Sequence, residues 1–261
     1  NGYWHGQSNT RKMQGIHHEL IDVQNYNEPY NVKVFQEKCR TAIEDVVKRG
    51  KFPILCGGTG LYLKAALYDY EFQEENEDIA YTTFLNSKTN EELVAMLKEK
   101  DEKALEKIHP NNRKRLIRAL QICHSGTSKS EQEDKQQHIP LYDVYFLGLD
   151  VNRDILHDRI NKRVDIMFEN GLVKEVKDLF TNPETWEYTS FQGIGYKEFK
   201  DYFLKEKSID EVKTAIKTHS RQYAKRQYTW FKNQMPVHWF EAQNRDEIYS
   251  AVKEWLMDED K

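Results

Sequence analysis

The chain has 261 residues, of which 38% are hydrophobic and 31% are charged, with a formal net charge of -4. This composition is typical of a globular protein with a well-hydrated surface, and it excludes an overall basic nucleic-acid-binding chain, so any basic surface must be local. No run approaches the roughly 20 apolar residues of a membrane span, so no membrane segment is expected. The three cysteines, an odd number at scattered spacings, favour reduced thiols in the cytoplasm over disulfides or a metal site.

The first predicted elements are a helix and a strand. Apolar residues at helical spacing predict a helix over 31–50, with Asn31 as its N-cap and Gly50 as its stop. The apolar run over 52–56 predicts a buried strand. A helix joined to a strand by a short link is typical of an α/β domain with a mainly parallel sheet.

A glycine-rich loop follows that strand and leads into a predicted helix over 61–67. Gly57, Gly58 and Gly60 allow the backbone to come close to a ligand, and the first turn of a helix favours an anion. Thr59 adds a hydroxyl at the same turn. The loop is therefore a candidate binding site, although the glycines could also serve only to make a turn.

The next segment has a strongly charged helical pattern and no strand signal. We predict an all-helical insertion over 75–138 within a core formed by 1–74 and 139–261. In a predicted helix over 111–124, Lys114 and Arg118 lie four residues apart, with Arg115 beside them. These cations suit a phosphate backbone, or they serve only solubility.

The α/β pattern returns after the insertion. Alternation over 141–149 predicts a strand, and apolar periodicity predicts a helix over 152–171. A long helix is predicted from Ser208, which begins a capping box with Glu211, to about residue 232. A strand over 237–240 and a helix over 247–257 complete the chain.

The long helix carries three cations at a spacing of four residues, Lys217, Arg221 and Lys225, which therefore lie close to one face. A cationic stripe is most often a hydrated surface. Here aromatic residues on the same helix keep part of it packed, so the cations lie near a low-dielectric surface where a phosphate would gain most. We therefore predict an anion site at this helix.

Five motifs in order make the chain resemble the bacterial tRNA dimethylallyltransferase, or tRNA isopentenyltransferase, family. They are GGTGLY (57–62), HPNN with its following arginines (109–118), DRINKRV (158–164), GIGYKE (193–198) and RQYAKRQYTWF (221–231). The resemblance implies a P-loop-NTPase-like α/β core with an inserted helical domain that contacts the tRNA anticodon arm. It also implies a cytoplasmic monomer that uses Mg²⁺ to transfer a dimethylallyl group from dimethylallyl diphosphate to the N6 amine of the adenosine 3′ of the anticodon.

In this scheme Thr59 is the catalytic residue, which hydrogen-bonds the target base or orients the donor. The substrate-binding residues are Gly57, Gly58, Gly60, Arg221 and Lys225. The residues expected to contact tRNA are Lys114, Arg115, Leu116, Ile117, Arg118, Arg159, Arg163, Gly195, Tyr196 and Lys197. No residue is predicted to ligate a metal.

Two departures from the family pattern are expected to matter. The phosphate loop and the Asp-Ser-x-Gln stretch, whose aspartate is the family's general base, do not occur in this sequence, and the chain as written is predicted to lack both. The family's Gly-Ile-Pro-His-His-Leu-Ile-Asp stretch appears at 15–22 as GIHHELID, with only His18 in register.

Three alternatives stay open at this point. An adenylate isopentenyltransferase would carry out the same chemistry on a free nucleotide, and the basic insertion argues against it. A non-catalytic RNA-binding fragment would bind a stem-loop and transfer nothing. A P-loop kinase of small molecules would turn over ATP.

Overall fold

The computed structural model describes residues 13–72, 78–131, 138–180 and 182–258. Within those ranges, no helix is both long and apolar enough to cross a membrane. The strands are β1 (Leu147–Asp150) and β2 (His238–Glu241), and 3₁₀ turns lie at Glu102–Glu106, Pro183–Glu187, Thr189–Gln192 and Lys197–Phe199. The helices are α1 (Val32–Lys48), α2 (Gly60–Leu67), α3 (Ile79–Asn86), α4 (Asn90–Asp101), α5 (Arg113–His124), α6 (Arg153–Glu169), α7 (Leu172–Leu179), α8 (Lys200–Phe203), α9 (Ile209–Gln234) and α10 (Arg245–Met257).

The sheet is small and parallel. Leu147 of β1 pairs with His238 of β2, and the register places Asp150 opposite Glu241 at the carboxyl ends of the two strands. The predicted α/β class with a parallel sheet is therefore confirmed. The prediction of a strand over 52–56 is wrong, because a strand needs a neighbour to exchange hydrogen bonds with and none of the described residues provides one.

The chain divides into two compact units, the first formed by Asn1–Ala66 and Tyr142–Lys261. The core of this first unit lies where α6 and α7 pack with the 3₁₀ segments and the first half of α9. Apolar periodicity on these helices produces it, since each contributes one buried stripe. The core residues are Val164, Leu172, Val176, Trp186, Phe191, Tyr196, Phe199, Val212 and Ile216.

The second unit is Leu67–Leu141. Its described part consists of helices joined by a 3₁₀ turn and loops. Its core side chains come from α3, α4, α5, the 3₁₀ turn Glu102–Glu106 and the following Ile108, and Leu116 and Leu120 are fully buried among them. Arg113 ties the start of α5 to the end of α3 by donating to the carbonyls of Leu85 (3.3 Å) and Asn86 (2.9 Å). The predicted boundary after residue 74 lies outside the described residues, and the role of this unit in holding tRNA stays a prediction.

The long helix α9 organises the first unit. Ser208 and Glu211 form the predicted capping box, and the helix ends at Gln234, two residues beyond the predicted limit of 232. Val212 and Ile216 bury its first half in the core. Its second half is free of that core, so it is available to hold the glycine-rich loop and to line a cavity.

Candidate active site

One face of α9 holds the glycine-rich loop. The side-chain amide of Gln227 donates to the carbonyl of Gly58 at 2.7 Å, and the hydroxyls of Thr59 and Tyr223 lie 3.4 Å apart. Trp230 packs against Gly60. Tyr223, Gln227 and Trp230 are spaced by four and then three residues, so they share a face and fix the loop along it.

The structure also shows why glycines stand in this loop. A Cβ added at Gly58 would lie 2.2 Å from the amide nitrogen of Gln227, and one added at Gly60 would lie 2.0 Å from the Trp230 ring. A Cβ at Gly57 would meet nothing within 4 Å. The Gln227 amide ends a flexible side chain and can move aside, whereas the Trp230 ring is bulky, so the close approach of α9 requires glycine most clearly at position 60.

A second face of α9 lines a cavity of about 960 Å³. The first turn of α6 and the carboxyl ends of β1 and β2 complete its walls, so the cavity combines a helix N-terminus with strand ends, where anions and substrates commonly bind. Its cationic residues include Arg159, Arg221 and Lys225, and its acidic ones are Asp150 and Glu241.

The three cations of the predicted stripe have different partners. Lys217 and Lys213 both contact one oxygen of Asp165 at 2.7 Å, and the bond from Lys213, followed by that from Lys217, lowers the pKa of that carboxyl. Lys217 does not line the cavity, whereas Arg221 and Lys225 do. Two cations of the stripe therefore face the cavity and one is paired with a carboxylate.

Arg221 is held by two neutral acceptors. Its guanidinium donates to the amide oxygen of Asn161 at 2.6 Å and to the hydroxyl of Thr218 at 3.1 Å. Lys225 is exposed, and its ammonium makes no hydrogen bond or ion pair with any residue that the structure describes. Of the three stripe cations, the cavity therefore receives one that is oriented by neutral acceptors and one that is exposed, and neither has a carboxylate partner among the described residues.

Thr59 lies against a different face of α9 from the one that carries Arg221. Thr59 meets Tyr223, which lies two residues after Arg221, about 200° away around a helix with 3.6 residues per turn. The loop and the cavity thus occupy different faces of α9, and this helix joins the two parts of the site.

The GIGYKE segment is held internally. Gly195 has a φ of 103°, in the region that favours glycine, and its N–H donates to Glu198 at 2.8 Å. Glu198 also contacts a ring nitrogen of His219 on α9 at 2.6 Å. The Tyr196 hydroxyl donates to buried Glu175, and burial is the main reason why the pKa of Tyr196 is raised.

The burial of this segment limits which of its side chains can reach RNA. Gly195 and Tyr196 are buried, and Lys197 is exposed. The predicted contact between the Tyr196 side chain and tRNA is therefore corrected to a role in the core, because its ring and hydroxyl are already occupied.

The predicted contacts on α5 divide in the same way. Lys114, Arg115 and Arg118 are exposed. Leu116 is fully buried, and Ile117 packs against the same cluster. Leu116 is therefore corrected from an RNA contact to a core residue, because its side chain has no exposed surface. Ile117 is partly exposed, so only part of its side chain is accessible to RNA.

On α6, both predicted arginines are exposed, but only Arg159 lines the cavity, and Arg163 does not. No group of three or more histidine, cysteine or acidic residues that could hold a metal is found among the described residues. Sequence reasoning missed Asn161 and Gln227. The spacing of Gln227 from Tyr223 and Trp230 carried a signal, whereas nothing near Asn161 in the sequence identifies Arg221 as its partner.

Comparison with known proteins gives one consistent result. Residues 6–234 match the family model described as IPP transferase. The tRNA dimethylallyltransferase of Bacillus cereus is 43% identical over 247 residues, which are 93% of this chain and 78% of that protein, and its Bacillus anthracis counterpart is 44% identical with the same coverage.

Solved structures agree with the sequence matches. The full-length tRNA isopentenylpyrophosphate transferase of Bacillus halodurans is 35% identical, with a TM-score of 0.67 over 96% of this chain and 80% of that one. A eukaryotic dimethylallyltransferase captured acting on tRNA is 28% identical, with a TM-score of 0.78 over 96% of this chain and 68% of that one.

Proposed function

This chain belongs to the IPP transferase family, and from that premise we propose that it is a tRNA dimethylallyltransferase. It transfers a dimethylallyl group from dimethylallyl diphosphate to the N6 amine of the adenosine 3′ of the anticodon. The observation that carries this proposal is the match along 93% of the chain to proteins of that name. The cationic cavity beside α9 supports it, because the reaction releases diphosphate.

The cavity suits the leaving group. In the reaction the amine nitrogen forms a bond to the primary carbon of the donor, the carbon–oxygen bond breaks, and the electron pair leaves with diphosphate. The alkylated amine then releases a proton to solvent water. Negative charge therefore grows on the diphosphate in the transition state, where fixed cations contribute most. Arg221 holds that charge, and Lys225 of α9 and Arg159 of α6 add to the positive potential of the same cavity.

The glycine-rich loop supplies the other part of the site. An amine within a stacked anticodon loop must be exposed before it can react, so the target base has to be turned out of its stack. Thr59 is exposed on a loop that α9 fixes in place, and in our scheme its hydroxyl hydrogen-bonds the target base or orients the donor.

We propose that Mg²⁺ enters with the donor diphosphate. Magnesium is usually held by one or two carboxylates together with substrate phosphates and water, so it does not need a cage of protein ligands. Asp150 and Glu241 on the cavity wall fit that mode and would face the ion. When bound, the ion neutralises part of the charge on the leaving diphosphate.

A transfer assay tests the proposed function. With labelled dimethylallyl diphosphate, the intact protein is expected to label tRNA and to leave AMP unlabelled, because the exposed cations of α5 suit an extended phosphate backbone, which AMP lacks. We also expect the protein to be cytoplasmic, and to sediment with tRNA as a complex of one protein copy and one tRNA. Transfer to AMP, ATP hydrolysis without transfer, or tRNA binding without transfer would each favour one of the three alternatives.

The role of α5 gives a separate prediction. Lys114→Ala with Arg118→Ala is expected to weaken tRNA binding and to reduce the slope of log affinity against log salt by about 1–2 units, since each lost phosphate contact removes nearly one. The measurement is tRNA affinity over a salt series, with Lys98→Ala plus Lys100→Ala on α4 as a control of equal charge. A slope change below about one unit, or one equal to the control, would show that α5 does not hold the RNA.

A further inference from the structure

The contact between α6 and α9 is built as a ladder of polar pairs. Asp165 of α6 meets Lys217 of α9, and four residues back along α6 Asn161 meets Arg221, four residues forward along α9. Residues four apart share a helix face, so these are successive rungs between two antiparallel faces. The rungs differ in charge: the first is an ion pair, and the second joins a cation to a neutral amide.

The cation of α9 that is paired with a carboxylate lies outside the cavity, and the cation that is paired with an amide lies inside it. Lys217, held by a carboxylate, lies outside the cavity lining, whereas Arg221, held by the amide, lies within it. A carboxylate at the second rung would fix the guanidinium equally well, but it would also cancel much of its charge. An asparagine oxygen orients a planar donor group and leaves its positive charge available to a ligand.

We propose that Asn161 is a positioning residue for the transfer reaction: it fixes the guanidinium of Arg221 toward the donor diphosphate while leaving its charge unneutralised. Thr218 provides the second acceptor, so that two bonds hold the plane of the guanidinium. The inference rests on the proposed function, in which Arg221 binds the leaving diphosphate.

Two substitutions separate orientation from charge. Asn161→Ala removes the acceptor, and kcat/KM for dimethylallyl diphosphate is expected to fall about tenfold or more, as for other hydrogen bonds to charged groups. Asn161→Asp keeps the contact as an ion pair, so the KM for the donor is expected to rise. The affinity for tRNA should not change in either variant.

The decisive comparison repeats both substitutions in an Arg221→Ala background, where they should change kcat/KM by less than about twofold, since residues that act as one unit are not additive. Lys162→Ala, which removes an exposed pair with Asp158 on the same helix, is the control and should match the unaltered protein. Thermal unfolding of each variant shows whether the fold is kept. If Asn161→Ala is unstable, the comparison with and without Arg221 is made with Asn161→Asp alone.

The outcomes that would overturn the inference are distinct. If Arg221→Ala damages transfer but both Asn161 variants behave like Lys162→Ala, the inference fails alone. If the Asn161 variants cause the same loss with and without Arg221, Asn161 acts on the fold and not through Arg221. If Arg221→Ala leaves transfer unchanged, the inference fails together with the proposed role of Arg221.

Discussion

Replacing Arg221 with alanine is expected to lower kcat for dimethylallyl transfer by about 10²–10³-fold, the range found when one fixed donor to a developing negative charge is removed from an active site. Arg221 lines the cavity, and its guanidinium is already oriented by Asn161 and Thr218, so little reorganisation is expected when charge appears on the diphosphate. The KM for the donor should rise as well, because the ground-state diphosphate is also an anion.

Steady-state kinetics of the intact protein, with tRNA held at saturation, checks this expectation. Arg221→Lys should recover only part of the rate, since an ammonium keeps the charge but lacks the planar pair of donors. Lys232→Ala is a matched control, because it removes an exposed cation from the same helix outside the cavity lining. Kinetics of Arg221→Ala equal to those of Lys232→Ala would remove Arg221 from the diphosphate site.

Gly60→Ala is expected to have the second largest effect, on both stability and activity. The new methyl group would lie 2.0 Å from the Trp230 ring, so either the ring or the loop must move. Overpacking of this kind costs about 1–3 kcal/mol in the free energy of unfolding. The movement carries Thr59 with it, and misplacement of a reacting group by about 1 Å can cost about a hundredfold in rate.

Denaturant unfolding and the transfer assay measure the two effects of this substitution. Gly57→Ala is the matched control for stability, since its added methyl group meets nothing within 4 Å, and it should unfold at nearly the same denaturant concentration as the unaltered protein. Equal destabilisation by the two substitutions would mean that Trp230 does not pack against the loop as the structure shows.

The sequence by itself was sufficient for the long helix and the glycine-rich loop, which local pattern controls. The capping box at Ser208, helical periodicity and the run of glycines predicted the long helix and the glycine-rich loop, because caps, helical spacing and turn chemistry are properties of neighbouring residues. The family followed from the resemblance of five ordered motifs to a known pattern. The same patterns placed Arg221 and Lys225 on one helix face, and both line the cavity.

Only the tertiary structure decided which residues these faces meet. Periodicity shows that a helix has a face but does not name its neighbour, so the contact of Arg221 with Asn161 and that of Thr59 with Tyr223 could not be read from spacing. Tertiary packing also decided that Leu116 and Tyr196, although they belong to two of the motifs, are buried. It likewise decided that residues 52–56 have no strand partner among the described residues. Each of these features depends on packing between segments that are far apart in the chain. The charge and hydropathy of a single residue do not show which distant segment it will pack against.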